Sequence, residues 1–111
     1  MAEAKATLSD YRQSPRKVRV VADLIRGKKA EDALVTLTFT TKRASKPLVK
    51  LLESVIANAK NLSMPIENMT VKEIRVDGGK ILYRRLPMSR GRAFSIRKRT
   101  SHVNIVISDT K

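Results

Sequence analysis

Between Tyr83 and His102 the chain runs YRRLPMSRGRAFSIRKRTSH, with Arg84, Arg85, Arg90, Arg92, Arg97, Lys98 and Arg99 and no carboxylate. So many guanidinium groups suit the gripping of phosphate. The planar fork of Arg pairs its donors with an anion's oxygens and can stack flat on a base. Lys80 extends the run at its start. A second cluster lies upstream, where Arg12, Arg16, Lys17, Arg19, Arg26, Lys28 and Lys29 surround a single acid, Asp23. Other chemistries lack their residues. Without cysteine there is no thiolate nucleophile and no Cys-ligated metal. His102 is the lone histidine and has neither a nucleophile–base–orienter set nor a second metal ligand. No catalytic residue, metal or cofactor is expected.

The whole chain leans the same way. Its 111 residues carry 24 Lys plus Arg against 10 Asp plus Glu, a formal charge of +14, which points to a polyanionic partner. Nucleic acid, an anionic membrane surface and an acidic protein all meet that description. A hydrophobic content of 41% keeps the chain out of the disordered class, so one domain over residues 1–111 is expected. No stretch approaches the ~20 apolar residues of a membrane span, and a cytoplasmic location is expected. A membrane-surface role would need a bulky apolar helix face left exposed, whereas these helices need theirs for a core. Aromatic residues are 4% of the chain, which disfavours recognition by bases splayed on an aromatic sheet. Tyr83 and Phe94 either stack on bases or pack against each other.

The elements that must position these groups follow from periodicity. KATLSDYRQ alternates through Ala4, Ala6 and Leu8 as a short strand does. SPRKVRVVADLIRGKK marks a helix, with Ser14 as cap, Pro15 in the first turn and Gly27 as terminator. Val18, Val21, Ala22 and Ile25 form its core stripe, and its arginines lie off that stripe on a face assigned to phosphate. AEDALVTLTF gives a shorter helix with Ala30, Ala33, Leu34 and Leu37 inward. A longer one starts near Ser45 or Lys46 and carries Leu48, Leu51, Leu52, Val55 and Ala59 on its apolar face. From Met69 onward the period is two. Antiparallel pairing sets Val76 against Val103 or Ile105, with the reversal near Ser89 to Gly91, and the basic run becomes the far end of one ribbon. Asp77–Gly78–Gly79 offers a rival, a tight hairpin turn; it also fits a bulge where the ribbon leaves the core. The residues alone leave both open.

SPRKVRVVADLIRGKK, LLESVIANAKN and RGRAFSIRKRTSHVNIVISD, in this order and spacing, resemble the bacterial large-subunit ribosomal protein twenty-two family from about Tyr11 to Asp109. The resemblance implies an α+β fold, three helices packed on a small antiparallel sheet with a long protruding two-stranded β-hairpin, here over 78–99. It therefore favours the ribbon over the tight turn. It implies no enzyme but a structural part of the large ribosomal subunit, with large-subunit rRNA, neighbouring large-subunit proteins and the nascent polypeptide as partners, and no homo-oligomer. Contacts to rRNA are expected from Arg12, Ser14, Arg16, Lys17, Arg19, Arg26, Lys28, Lys29, Lys80, Arg84, Arg85, Arg90, Gly91, Arg92, Arg97, Lys98, Arg99, Thr100, Ser101 and His102. Leu82, Tyr83, Arg84, Pro87, Met88, Ser89, Arg90, Gly91, Arg92 and Ala93 are expected to face the peptide exit tunnel, where tip changes in the family can confer macrolide resistance. Members commonly carry an acid followed by Gly-Pro where Gly78, Gly79 and Lys80 stand, so a different exit angle for the hairpin is expected. The alternative from another class is a free-standing basic nucleic-acid-binding or RNA-chaperone module.

Overall fold

A computed structural model describes residues 3–87 and 93–109. The chain folds as β1 (Glu3–Tyr11), α1 (Pro15–Ala22), α2 (Ala30–Thr38), α3 (Ser45–Asn61), a 3-10 turn (Ile66–Asn68), β2 (Met69–Pro87) and β3 (Ala93–Asp109). The strands form one antiparallel sheet in the order β1-β3-β2. This is the expected α+β fold. The core lies between one sheet face and the helices: Val18, Val21 and Ile25 from the α1 region, Leu37 from α2, and Leu48, Leu52 and Val55 from α3 meet Val71, Val103, Ile105 and Ile107. These are the stripe positions of the three helices and the alternate positions of the strands, as burial of one face demands.

The helix ends differ in detail from expectation. Ser14 occupies the cap position of α1 without a side-chain bond, and its carbonyl accepts instead from the Lys17 and Val18 N–H groups. Regular helix stops at Ala22. A tightened turn follows, in which Leu24 and Ile25 donate to Val21 O and Ala22 O, and Gly27 closes it at φ +81°. The turn carries Ile25 into the core and brings the next residues against β2.

With β3 central, β1 and β2 are both edges, and an unpaired edge is a template for unwanted pairing. Each edge is covered. Gly27 N–H donates to Val71 O at 3.0 Å and Val71 N–H donates to Lys28 O at 2.8 Å. Further along β2, Arg26 Nη2 donates to Ile74 O at 2.8 Å, and Arg19 reaches Val76 O through Nε at 3.2 Å and Nη2 at 2.9 Å. On β1, Asn58 Nδ2 donates to Lys5 O at 2.8 Å. Glu3 and Lys72, from the two edges, form an exposed ion pair. The hydrogen bond from Lys72, and then its charge, holds the Glu3 carboxyl below the ordinary carboxylate range and the ammonium above its own. The pair's contribution therefore fades as pH falls through the lowered Glu3 value or rises through the raised Lys72 value.

Val76 opposes Val103 and Ile74 opposes Ile105, the first of the two expected registers. Asp77 and Gly78 oppose His102 and Ser101, the register then shifts, and Ile81 opposes Arg99. The Asp-Gly-Gly segment is thus a bulge inside one long β2–β3 ribbon and not a tight turn. Pairing continues to Pro87 opposite Ala93. The molecule measures 64 × 24 × 18 Å. Its radius of gyration of 17.1 Å exceeds the ~13 Å of a compact chain of this length, because the sheet outgrows its helices.

The bulge is closely packed. A Cβ on Gly79 would lie 2.5 Å from Thr100 Oγ1 and 2.9 Å from His102 Nε2, and that same hydroxyl donates to Lys80 O at 2.6 Å. At Gly78 the nearest atom to such a Cβ is Pro15 Cγ, at 3.9 Å. Gly79→Ala should therefore lower the unfolding free energy by about 1–3 kcal/mol, the usual cost of overpacking. Gly78→Ala should change it by no more than ~0.5 kcal/mol. Denaturant midpoints of the two variants check this, and equal effects would contradict the packing argument.

Candidate nucleic-acid interface

The sequence-predicted cations divide into two sets once their partners are known. Arg19 and Arg26 lie exposed along the β2 edge, bonded to Val76 O and Ile74 O, and Arg26 also pairs with Asp23. Lys28 Nζ donates to Thr36 Oγ1 at 3.4 Å. These side chains brace the fold, a use that residue type and helical spacing do not distinguish from a phosphate-facing one. Thr100 and Ser101 are 4% and 0% exposed, and their hydroxyls donate to Lys80 O and Gln13 O, each at 2.6 Å. Both tie the ribbon down from beneath the cationic surface. His102 is half-buried; its Nδ1 accepts from Asp10 N–H at 3.2 Å, and Asp10 sits at φ +55° in the bulge of β1.

The second set has no side-chain partner among the described residues: Arg12, Arg16, Lys17, Lys29, Lys80, Arg97, Lys98 and Arg99, all exposed. Most lie around one place. Arg12 follows β1 at its corner with α1, Arg16 and Lys17 stand in the first turn of α1, and Arg97 and Arg99 stand on β3 just beyond the core. Strand alternation puts Arg97 and Arg99 on the β3 face that carries Ser101 and Val103 inward. The face that is apolar beneath the helices becomes cationic as soon as it passes them.

A cavity of ≈430 Å3 opens at that step, lined by Arg12, Gln13, Ser14, Lys17, Arg43, Leu82, Arg97, Lys98 and Arg99. Arg43, on the turn between α2 and α3, was not among the expected site residues. The signal available for it was the Lys42–Arg43 pair in the polar TTKRAS segment, which gives no hint that the turn folds back toward β3. Six cations and no acid around one cavity form a concentrated positive field.

Farther out, Leu82 is half-buried, Ile81 is 36% exposed and Tyr83 is 59% exposed. Arg97 stands opposite Tyr83 and Leu86 opposite Phe94, so Tyr83 and Phe94 are not a facing pair. Met88, Ser89, Arg90, Gly91 and Arg92 lie outside the described residues, as do the side chains of Arg84, Arg85, Pro87 and Ala93.

Among the described residues no group of three or more His, Cys, Asp or Glu could hold a metal ion, and no helix is long and apolar enough to cross a membrane. What the geometry offers is a slender, two-stranded cationic ribbon joined to a basic shoulder.

Known proteins share this chain nearly end to end. A protein of Desulfitobacterium hafniense (strain Y51) named large ribosomal subunit protein uL22 is 51% identical over 112 residues, covering 100% of this chain and 98% of that protein. Proteins of the same name from Trichlorobacter lovleyi and Pelotomaculum thermopropionicum are 50% and 49% identical over 110 residues, each covering 98% of this chain and 97% of the relative. Residues 6–108 match the family described as ribosomal protein L22p/L17e, and with that span and those identities the chain belongs to this family of ribosomal proteins, which are structural and not enzymes.

Proposed function

We propose that this chain is a structural protein of the large ribosomal subunit, held there by rRNA phosphates that contact both its basic shoulder and its ribbon. The observation that carries the reading is the partition of cations. Those on the β2 edge have protein partners, while those at the step from core to ribbon have none among the described residues and lack nearby acids. Such groups repel one another at close quarters, and a polyanion relieves that repulsion. Phosphate contact by counterion release supplies affinity there without any need for splayed bases. The ribbon's shape agrees: two strands can pass between packed RNA helices where a globular surface cannot.

The family resemblance extends the reading to the outer ribbon, from Leu82 through Ala93, as part of the wall of the peptide exit tunnel. The nascent polypeptide and neighbouring large-subunit proteins are then partners, with no homo-oligomer, and the location is the cytoplasmic ribosome. Changes at the tip would alter tunnel shape and with it macrolide sensitivity. Thr100 and Ser101 support this interface from within the fold, and Arg19 and Arg26 brace the strand edge beside it.

Replacing Arg97, Lys98 and Arg99 with Gln should lower the log–log salt slope of rRNA binding by about 0.7–0.9 per lost phosphate contact. Arg19→Gln should instead cost about 1 kcal/mol of stability and leave that slope unchanged. Titrations of a large-subunit rRNA fragment across a KCl series, beside denaturant melts, separate the two effects. An unchanged slope in the triple variant would remove those residues from the interface. In cells, the protein should sediment with large subunits through moderate salt; a substantial free pool would count against the assignment.

A further inference from the structure

We infer that the ≈430 Å3 cavity between α1, the α2–α3 turn and the base of the ribbon is a discrete site for a phosphate-class anion, whose occupancy fixes the direction of the ribbon against the body. This deepens the rRNA reading and rests on it for the source of the phosphate.

Two walls that belong to different parts of the molecule carry the argument. Arg12, Lys17 and Arg43 come from the body; Arg97, Lys98 and Arg99 come from β3 after it has left the core. None of the six makes a side-chain hydrogen bond or ion pair among the described residues, and the cavity lining holds no Asp or Glu. Ser101 Oγ, donating to Gln13 O at 2.6 Å, ties the ribbon to the body just inside this point. Beyond it, cations from both parts line one cavity, and like charges there repel. A multivalent anion between them reverses the sign of that interaction and accepts charge-assisted bonds from both sides. Arginines dominate the set, and their paired donors match phosphoryl oxygens. The anion would act as a pin between ribbon and shoulder, and it would do so through Arg43, which belongs to neither the ribbon nor α1.

The chain has no cysteine, which makes a direct test simple. The probe is inorganic pyrophosphate, titrated into the isotopically labelled free chain. Amide shifts should saturate and concentrate at Arg12 to Lys17, Arg43 and Arg97 to Arg99. Spin labels at Tyr83→Cys and Leu62→Cys should give a distance distribution that narrows as pyrophosphate binds. Arg43→Gln and Lys17→Gln should each weaken pyrophosphate binding about tenfold, the worth of one bond to a charged group. Lys60→Gln, on the far end of α3, should have no such effect, and Arg43→Lys should restore part of the loss. Competition by a short RNA oligonucleotide would assign the site to a phosphodiester, and simultaneous binding of both would assign it to a free polyphosphate. Unsaturable shifts spread over every lysine, or an Arg43→Gln variant indistinguishable from Lys60→Gln, would overturn the proposal while leaving the rRNA salt-slope result to stand or fall separately. Saturable binding without narrowing of the label distances would overturn the pinning role.

Discussion

Uncompensated positive charge is the constraint on which the rest of this molecule depends. A sheet face can be buried only where helices cover it, and α1, α2 and α3 cover β2 and β3 as far as Val76 and Val103, which are 5% and 0% exposed. Beyond Gly78 on β2 and Thr100 on β3 the cover ends. Past that line the strands continue as a pair, and a lone two-stranded ribbon is marginal in water. Its arginines cannot pack on a body that is itself strongly basic. The fold is thus complete at one end and, at the other, shaped for a partner of opposite charge.

The bulge at Gly78 to Lys80 is where the two regimes meet, and its packing accounts for the residue types found there. An extra residue on β2 changes which side chains face the body and increases local twist, so the ribbon leaves at a set angle. Thr100 closes over the bulge through its bond to Lys80 O, and Ser101 anchors the next residue to Gln13 O. Gly79 leaves room for that hydroxyl and for the His102 ring. The Asp-Gly-Gly triplet therefore serves close approach of one strand to the other.

Most of the fold was legible in the sequence, because stripes and alternation report which face must be dry. Val18, Val21 and Ile25, or Leu48, Leu52 and Val55, have one way to be buried together, and the core follows. The Asp-Gly-Gly segment was ambiguous for a physical reason: a tight turn is decided by neighbours in sequence, and a bulge by Ser101 and His102, more than twenty positions away. The strand-edge bonds of Arg19 and Arg26 were not legible for a similar one. A guanidinium that satisfies the outward carbonyls of an edge strand and one that awaits a phosphate have identical sequence surroundings. Arg43 was missed because loop residues carry no periodicity, and its neighbours in space come from the two ends of the chain.

Edge protection and the proposed RNA recognition thus draw on the same residue type, and the division between them follows from geometry. Where helix and strand run side by side, as α1 does along β2, strand carbonyls lie within reach of Arg19 and Arg26 and consume their donors. Where the helix has ended and the strand goes on, Arg97 and Arg99 have no side-chain hydrogen bond or ion pair among the described residues. A lysine would serve less well in either place, since a point charge can neither bridge a carbonyl through two nitrogens nor hold a phosphoryl group by two oxygens. In the proposed reading the arginine content of this small chain is one solution used twice, first to close the sheet and then to leave its extension open for an anion.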